Sequence, residues 1–465
     1  MSILLTDLLL GLKKEEIRQL KKYVRSPFVT HRADLADLFN VYADCLYKKK
    51  AFPIKSEIFE IVYPKEPFDD QKLRSTISDL HKVIETYLAS AIIQADDTER
   101  NLLLLRWYRE RNREKHFRKT TKRIEKLQAN QSLRNPDYYD DQLRFQSESA
   151  MFQTANQRAG DLHLQEIGDT MDILYLSRKL RHACTQLSHR AVFKTDYDFG
   201  LLNAWVHSLE NSPSLKVPAV ALYCYCYQFR TEKSNQVFFK KFRTLLSENR
   251  KKFPQDELKN LYRAAINYCI RQMNEGSTQF RLEGWNLFQE GLKNEVFIEN
   301  GRLSRFTFDN VVAVGLRLKK YTEVEHFIEK YKSKLAENYR RNTVKFNFAR
   351  LEFDRKNYDQ ALSYLNTLQP TDLVNQLITR TLLLKIYYES GAFDLLDSHL
   401  NNFRLFIRRR EVSDYHRLNF SNIITFVKKE LALTPGDRNE REKLREAIKN
   451  EAVLTERDWL LGNLI

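Results

Sequence analysis

Apolar residues recur at helical spacing along almost the whole chain. Ile17, Leu20 and Val24 predict a helix over 13–24 that ends before Pro27. Leu35, Leu38, Val41 and Leu46 predict another over 34–47, and Pro53, Pro64 and Pro67 bracket a short one near 56–62. Asp69 or Asp70 is placed to cap a long helix through 93. Its residues Leu73, Ile77, Leu80, Ile84 and Tyr87 step by four and three, which puts them on one buried face. A strongly basic helix is expected over 101–126, and a break over 130–141 around Asn135-Pro136-Asp137. Helices are then expected over 142–156, 162–188, 199–209, 218–231, 235–250, 255–272 and 281–292, with breaks at Gly160, Pro213, Pro254 and Gly276. No stretch alternates as a strand would. The expected fold is all-α: an N-terminal helical module over 1–130, helical pairs over 131–279, and a repeat region with C-terminal capping helices over 280–465.

A repeat emerges after residue 300. Tyr321 with Val324 and Ile328, Tyr358 with Ala361 and Leu365, and Phe393 with Leu396 and Leu400 share one spacing: an aromatic, an apolar residue three on, another four further on. The aromatics lie 37 and 35 positions apart, close to the roughly 34 residues consumed by two helices and their turns. An aromatic at the start of each second helix packs back on the first, and a small residue three later lets the two helices approach. Ala349, Phe353, Tyr358, Ala361, Leu365 and Pro370 resemble the tetratricopeptide family, as do Leu383, Tyr387, Gly391, Phe393 and Leu396. The first unit departs from the pattern, with Val324 for the small residue and Lys319 where glycine is usual, and the family's Trp is missing throughout. The resemblance covers about 280–450 and implies an α-solenoid whose groove, lined by the first helices, binds protein. A groove that is only structural, or that is filled by the chain's own tail, is the alternative. The chain also resembles bacterial helical-repeat proteins, a likeness that implies no activity.

Composition narrows the classes. Of 465 residues, 42% are hydrophobic and 30% charged, too apolar for a disordered chain. With 12 Gly and 10 Pro, turn residues are too few for a sandwich or barrel of this length. The five cysteines, Cys45, Cys184, Cys224, Cys226 and Cys269, follow no framework spacing and fit a reducing compartment. The opening MSILLTDLLLGLKK lacks the leading positive charge of a signal peptide, and no apolar run approaches the ~20 residues of a membrane span. A cytoplasmic protein that does not bind membrane is expected.

The formal net charge of +16 favours acidic or nucleic-acid partners. Over 106–126, ten cations face three acids: Arg106, Arg109, Arg111, Arg113, Lys115, Arg118, Lys119, Lys122, Arg123 and Lys126, with Trp107, Tyr108 and Phe117 interleaved. Such a mixture can grip phosphates and stack on bases, or it is a solvated helix whose aromatics belong to the core. The short and long helices before it have the order of a helix-turn-helix, with Arg74, Ser78 and Lys82 on one face; a plain three-helix module explains them equally.

Chemistry is sparse. There is no phosphate loop, no G-x-G-x-x-G and no H-E-x-x-H. Cys224-x-Cys226 lacks zinc spacing, and His182 and His189 are two helical turns apart. Asp69-Asp70, Asp96-Asp97 and Asp140-Asp141 are expected at helix starts, as caps. The expected function is a non-enzymatic scaffold, without cofactor or metal, that binds a protein partner in a helical groove; the alternative is a nucleic-acid-binding regulator using the basic N-terminal module.

Overall fold

The computed structural model describes every residue except 1, 2, 49–52, 157–160, 233, 234, 275, 276, 370, 371, 435, 436 and 465, so Gly160, Gly276 and Pro370 lie outside the described residues. The described residues form 23 α-helices and one two-residue strand pair. They divide into two compact units, Met1–Lys179 and Leu180–Ile465.

In the first unit, α1 (Ile3–Leu10), α2 (Lys14–Val24), α3 (Ala33–Lys48), α4 (Lys55–Val62) and α5 (Asp70–Ala95) enclose one core. The opening apolar run is thus a helix, with Leu5 and Leu9 buried. All five residues of the expected α5 stripe are buried. Asp69 caps α5 by accepting from the backbone N–H groups of Gln71 and Lys72, at 2.8 and 3.0 Å.

The single basic helix expected over 101–126 is instead a hairpin of α6 (Asp97–Glu110) and α7 (Glu114–Asn130). Asn112 adopts a left-handed conformation, φ 53°, and the Arg113 N–H donates to the Tyr108 carbonyl at 2.9 Å. That six-to-one bond closes a Schellman turn, and Asn tolerates the conformation it needs. α8 (Pro136–Asn156) packs on both helices, and Phe117 stacks on Phe152 at 3.9 Å. The expected break over 130–141 is therefore only a turn over 131–135 inside this unit, with Pro136 as the first residue of α8. Asp96 caps α6 as expected, through Thr98 and Glu99. Asp140-Asp141, expected as a cap, lies within α8. α9 (Leu164–Phe193) carries the chain into the second unit.

The second unit continues with α10 (Leu202–Ser208), then consecutive hairpins: α11 (Pro218–Thr231) with α12 (Gln236–Asn249), and α13 (Gln255–Asn274) with α14 (Gln279–Lys293). A minute hairpin follows, β1 (Ile298–Glu299) pairing with β2 (Arg302–Leu303). Asn300 and Gly301, both at positive φ, form its two-residue turn. Three further helix pairs come next: α15 (Arg305–Arg317) with α16 (Tyr321–Tyr331), α17 (Glu337–Asp354) with α18 (Tyr358–Asn366), and α19 (Leu373–Glu389) with α20 (Phe393–Arg409). α15 packs on α17, and α17 on α19. α21 (Asp414–Leu431), α22 (Arg438–Asn450) and α23 (Arg457–Asn463) close the end, with Leu444, Ile448 and Leu460 buried.

Tyr321, Tyr358 and Phe393 are each the first residue of the second helix of a pair. Two positions before them, Lys319, Lys356 and Gly391 all have positive φ. In each turn the following N–H reaches back five residues: Lys320 to Gly315, Asn357 to Glu352 and Ala392 to Tyr387, at 3.0, 2.8 and 3.0 Å. One turn geometry is therefore used three times, twice without the glycine that suits it. Val324, Ala361 and Leu396 are buried, as are Ile328, Leu365 and Leu400.

Two details qualify the expected pattern. Val324 is not small, yet α15 and α16 still pack closely, because the small residue has changed sides. A Cβ at Gly315 would lie 2.3 Å from Val324 Cγ2 and 2.6 Å from Trp285 Cζ3. Phe393 packs back on its first helix as expected, edge-on to Tyr388 of α19 with ring centroids 6.5 Å apart, but it remains 55% exposed. Tyr321 and Tyr358 donate their hydroxyls to the end of the next pair's first helix, at the Asp354 carbonyl (3.3 Å) and Glu389 Oε2 (2.9 Å). Phe393 has no hydroxyl to make that tie.

Candidate functional site: a polar cleft on the first helices, and a basic hairpin

The first helices of the last three pairs share one cleft of about 420 Å³. α15 contributes Asn310, Ala313 and Arg317, α17 Phe346, Arg350 and Asp354, and α19 Asn375, Ile378, Thr381 and Lys385. The triplet 346, 350, 354 steps by four, which places it along one face of α17. Phe420 of α21 and Thr455 and Glu456, just before α23, also line it.

A buried polar chain fixes the α15–α17 side. Asn347 donates to Asp309 Oδ1 at 2.6 Å and to the Thr343 carbonyl at 2.9 Å. Arg350 donates to Asn347 Oδ1 at 3.2 Å and to the Asp309 carbonyl at 3.3 Å. Burial raises the Asp309 carboxyl above its usual range, against the opposing pull of Asn347 and Arg350. Burial likewise raises Asp354, opposed by Lys385 and Arg350. The Arg350 guanidinium is pushed down by burial, with Asp309 and Glu456 holding it charged.

On the α19 side, Lys385 donates to Glu456 Oε2 at 2.7 Å. Burial works against the Glu456 charge, but Lys385, with Arg350 and Arg317 behind it, outweighs that and holds the carboxyl below its ordinary range. Glu456 itself is left-handed, φ 56°. Its side chain keeps 37% of its surface accessible, so water reaches this ion pair. Next to it, Glu389 accepts from Tyr358, Lys356 and the Trp459 indole N–H, joining α18, α19 and α23. The cleft thus combines cations, acids and amides in near balance, with Ile378 partly exposed among them.

The basic residues of the first unit fall into two sets. Arg106 pairs with Glu110 (2.9 Å), Arg109 with Glu148 (2.5 Å) and Arg118 with Glu114 (2.8 Å). Arg111 lies 4.3 Å over the half-exposed Trp107 ring, and Arg113 stands in the turn before α7. Lys115, Lys119, Lys122, Arg123 and Lys126 are exposed along α7. Phe117 belongs to the core, whereas Trp107 does not. Arg74 and Lys82 of α5 each meet an acid of the same helix, Asp70 at 2.6 Å and Asp79 at 3.4 Å.

The helices that line the cleft are legible in the sequence, whereas Asn347, Arg350, Lys385 and Glu456 were not among the residues it singled out. The four-residue steps on α17 were a readable signal for Arg350. The Lys385–Glu456 pair, 71 positions apart, had none. Among the described residues no helix is long and apolar enough to cross a membrane.

Comparison with known protein families, with curated proteins and with solved structures returns no match. The tetratricopeptide resemblance therefore rests on the residues of this chain alone.

Proposed function

We propose that the chain is a tetratricopeptide-like α-solenoid scaffold, acting without catalysis in the cytoplasm, whose cleft on α15, α17 and α19 binds an extended segment of a partner protein. One observation carries the reading. The cleft already holds a short stretch of non-helical backbone from its own chain at Thr455 and Glu456, with a carboxylate seated on Lys385. An array that seats such a stretch at one end offers an incoming segment the same groups along the rest: Asn310 and Asn375 as amides, Arg350 as a donor, Ile378 as an apolar contact. The tie of Glu456 to the array also means that the groove is in part filled by the tail, so a partner occupies the part toward Asn310 and Asn375.

Photo-crosslinking tests this in the native cell. A benzophenone side chain at Asn310 or Ile378 is expected to capture a discrete protein, and one at Glu329 on α16 is not. Equal capture from all three positions, or none from the cleft, overturns the proposal.

A further inference from the structure

The cleft gives no role to the basic face of α7. Lys115, Lys119, Lys122, Arg123 and Lys126 are all exposed on α7, and among the described residues none of them makes an ion pair. At about 100° of turn per residue the five lie within an arc of roughly 100°. The opposite arc holds Phe117, Thr120 and Ile124, buried in the core of the hairpin and α8. The two acids of α7, Glu114 and Glu125, lie outside the basic arc, and Glu114 is held by Arg118. Like charges three and four residues apart repel, so this row weakens α7 in isolation.

We propose that this face of α7 binds the phosphate backbone of a nucleic acid without reading its sequence. From Lys115 to Lys126 the helix rises about 16 Å. Duplex DNA carries a phosphate charge every ~1.7 Å of axis over its two strands, so the five cations of the row can neutralise up to about five phosphates. An anionic membrane fits less well. A helix that lies in a bilayer surface inserts an apolar face, and the apolar face of α7 is already used inside the unit. No large apolar side chain is exposed on α7 among the described residues.

Fluorescence anisotropy on the full chain tests the proposal, with labelled single-stranded RNA, single-stranded DNA and duplex DNA of mixed sequence as probes. Five phosphate contacts predict that duplex affinity falls about 500-fold between 50 and 200 mM salt. Lys119→Glu, Lys122→Glu and Lys126→Glu together are expected to reduce that fall to about 12-fold and to weaken binding to every probe that the wild type holds. The matched reversal Arg404→Glu, Arg408→Glu and Arg409→Glu, on exposed positions of α20, removes the same charge and is expected to leave most of the binding. The relative strength of the three probes identifies the preferred nucleic acid. No anisotropy change with any probe at 50 mM salt overturns the proposal. So does equal loss in both triple variants, which makes the attraction one of net charge alone, and so does binding confined to phosphatidylserine vesicles. Should the α7 reversal fail to fold, Lys119→Gln with Lys122→Gln supplies the same comparison.

Discussion

Gly315→Ala is the sharpest probe of how α15 and α16 pack. The added methyl would sit 2.3 Å from Val324 Cγ2 and 2.6 Å from Trp285 Cζ3, and both side chains are buried. Carbon atoms pack at about 3.5–4.0 Å, so two well-held neighbours must each retreat by about an ångström. Overpacking of that kind costs about 2–3 kcal/mol. Alanine regains up to about 1 kcal/mol of helix propensity over glycine, leaving a net loss of about 1–2 kcal/mol. Val324→Ala, which restores the small residue to the second helix, removes two buried methyl groups and costs about 2 kcal/mol alone. In the double variant the new methyl fills the space Val324 vacated. The two losses are then expected to fall short of their sum by about 1 kcal/mol, a coupling readable from a double-mutant cycle. Because the chain has two units, global melting is not a two-state measure. Hydrogen exchange of the α15 and α16 amides gives the local opening free energy instead. A neutral or stabilising Gly315→Ala, the ordinary result for a helical glycine with open space around it, refutes the reasoning, as does strict additivity.

Two further outcomes follow from particular side chains. Burial on α8 lifts the Asp141 carboxyl from 3.8 to about 6, with Asp96 and Asp140 adding to the rise against Arg144. Because the folded pKa is raised, the carboxylate costs nothing below about pH 4, its penalty builds between about pH 4 and 6 as the unfolded chain ionises while the folded one stays protonated, and the penalty is complete above about 6. Asp141→Asn is therefore expected to raise the local opening free energy of the α8 amides, read by hydrogen exchange, at pH 8 and to leave it unchanged at pH 3.5. The side chain keeps 36% of its surface in water, so the gain is about 1 kcal/mol, not the full linkage value. Tyr358→Phe removes the hydroxyl bond to Glu389 while keeping the ring. It is expected to cost about 1 kcal/mol, visible as faster exchange in the last turn of α19 and absent from α15.

Much of this fold was legible before the structure. The α5 stripe was readable because four-three spacing admits only one buried face. The phase of Tyr321, Tyr358 and Phe393 was readable because the pair length repeats. Other features lacked a local signal. The turn at Asn112 interrupts a run of good helix formers with neither glycine nor proline. Asn300-Gly301 is a strong hairpin signal, but its flanking strands are two residues long, too short for alternation to register. Asp140-Asp141 looks like a cap, yet Asn135 and Pro136 start the helix first. Gly315 and Val324 compensate across two helices, and Lys385 on α19 meets Glu456 in the turn before α23, so neither pair is a pattern within one segment. The cleft was inferred from a family resemblance; its charge balance became visible only with side chains in place.

The central claim is that the face formed by α15, α17 and α19 recognises an extended protein segment. Selection of a random peptide library on the full chain, followed by hydrogen exchange with the enriched peptide bound, tests it directly. The account predicts slowed exchange in these three helices and in the Glu456 loop, with binding weakened at least tenfold by Arg350→Ala or by Asn310→Ala with Asn375→Ala. Failure to enrich any peptide, or protection confined to α6 and α7 with the cleft unchanged, contradicts it.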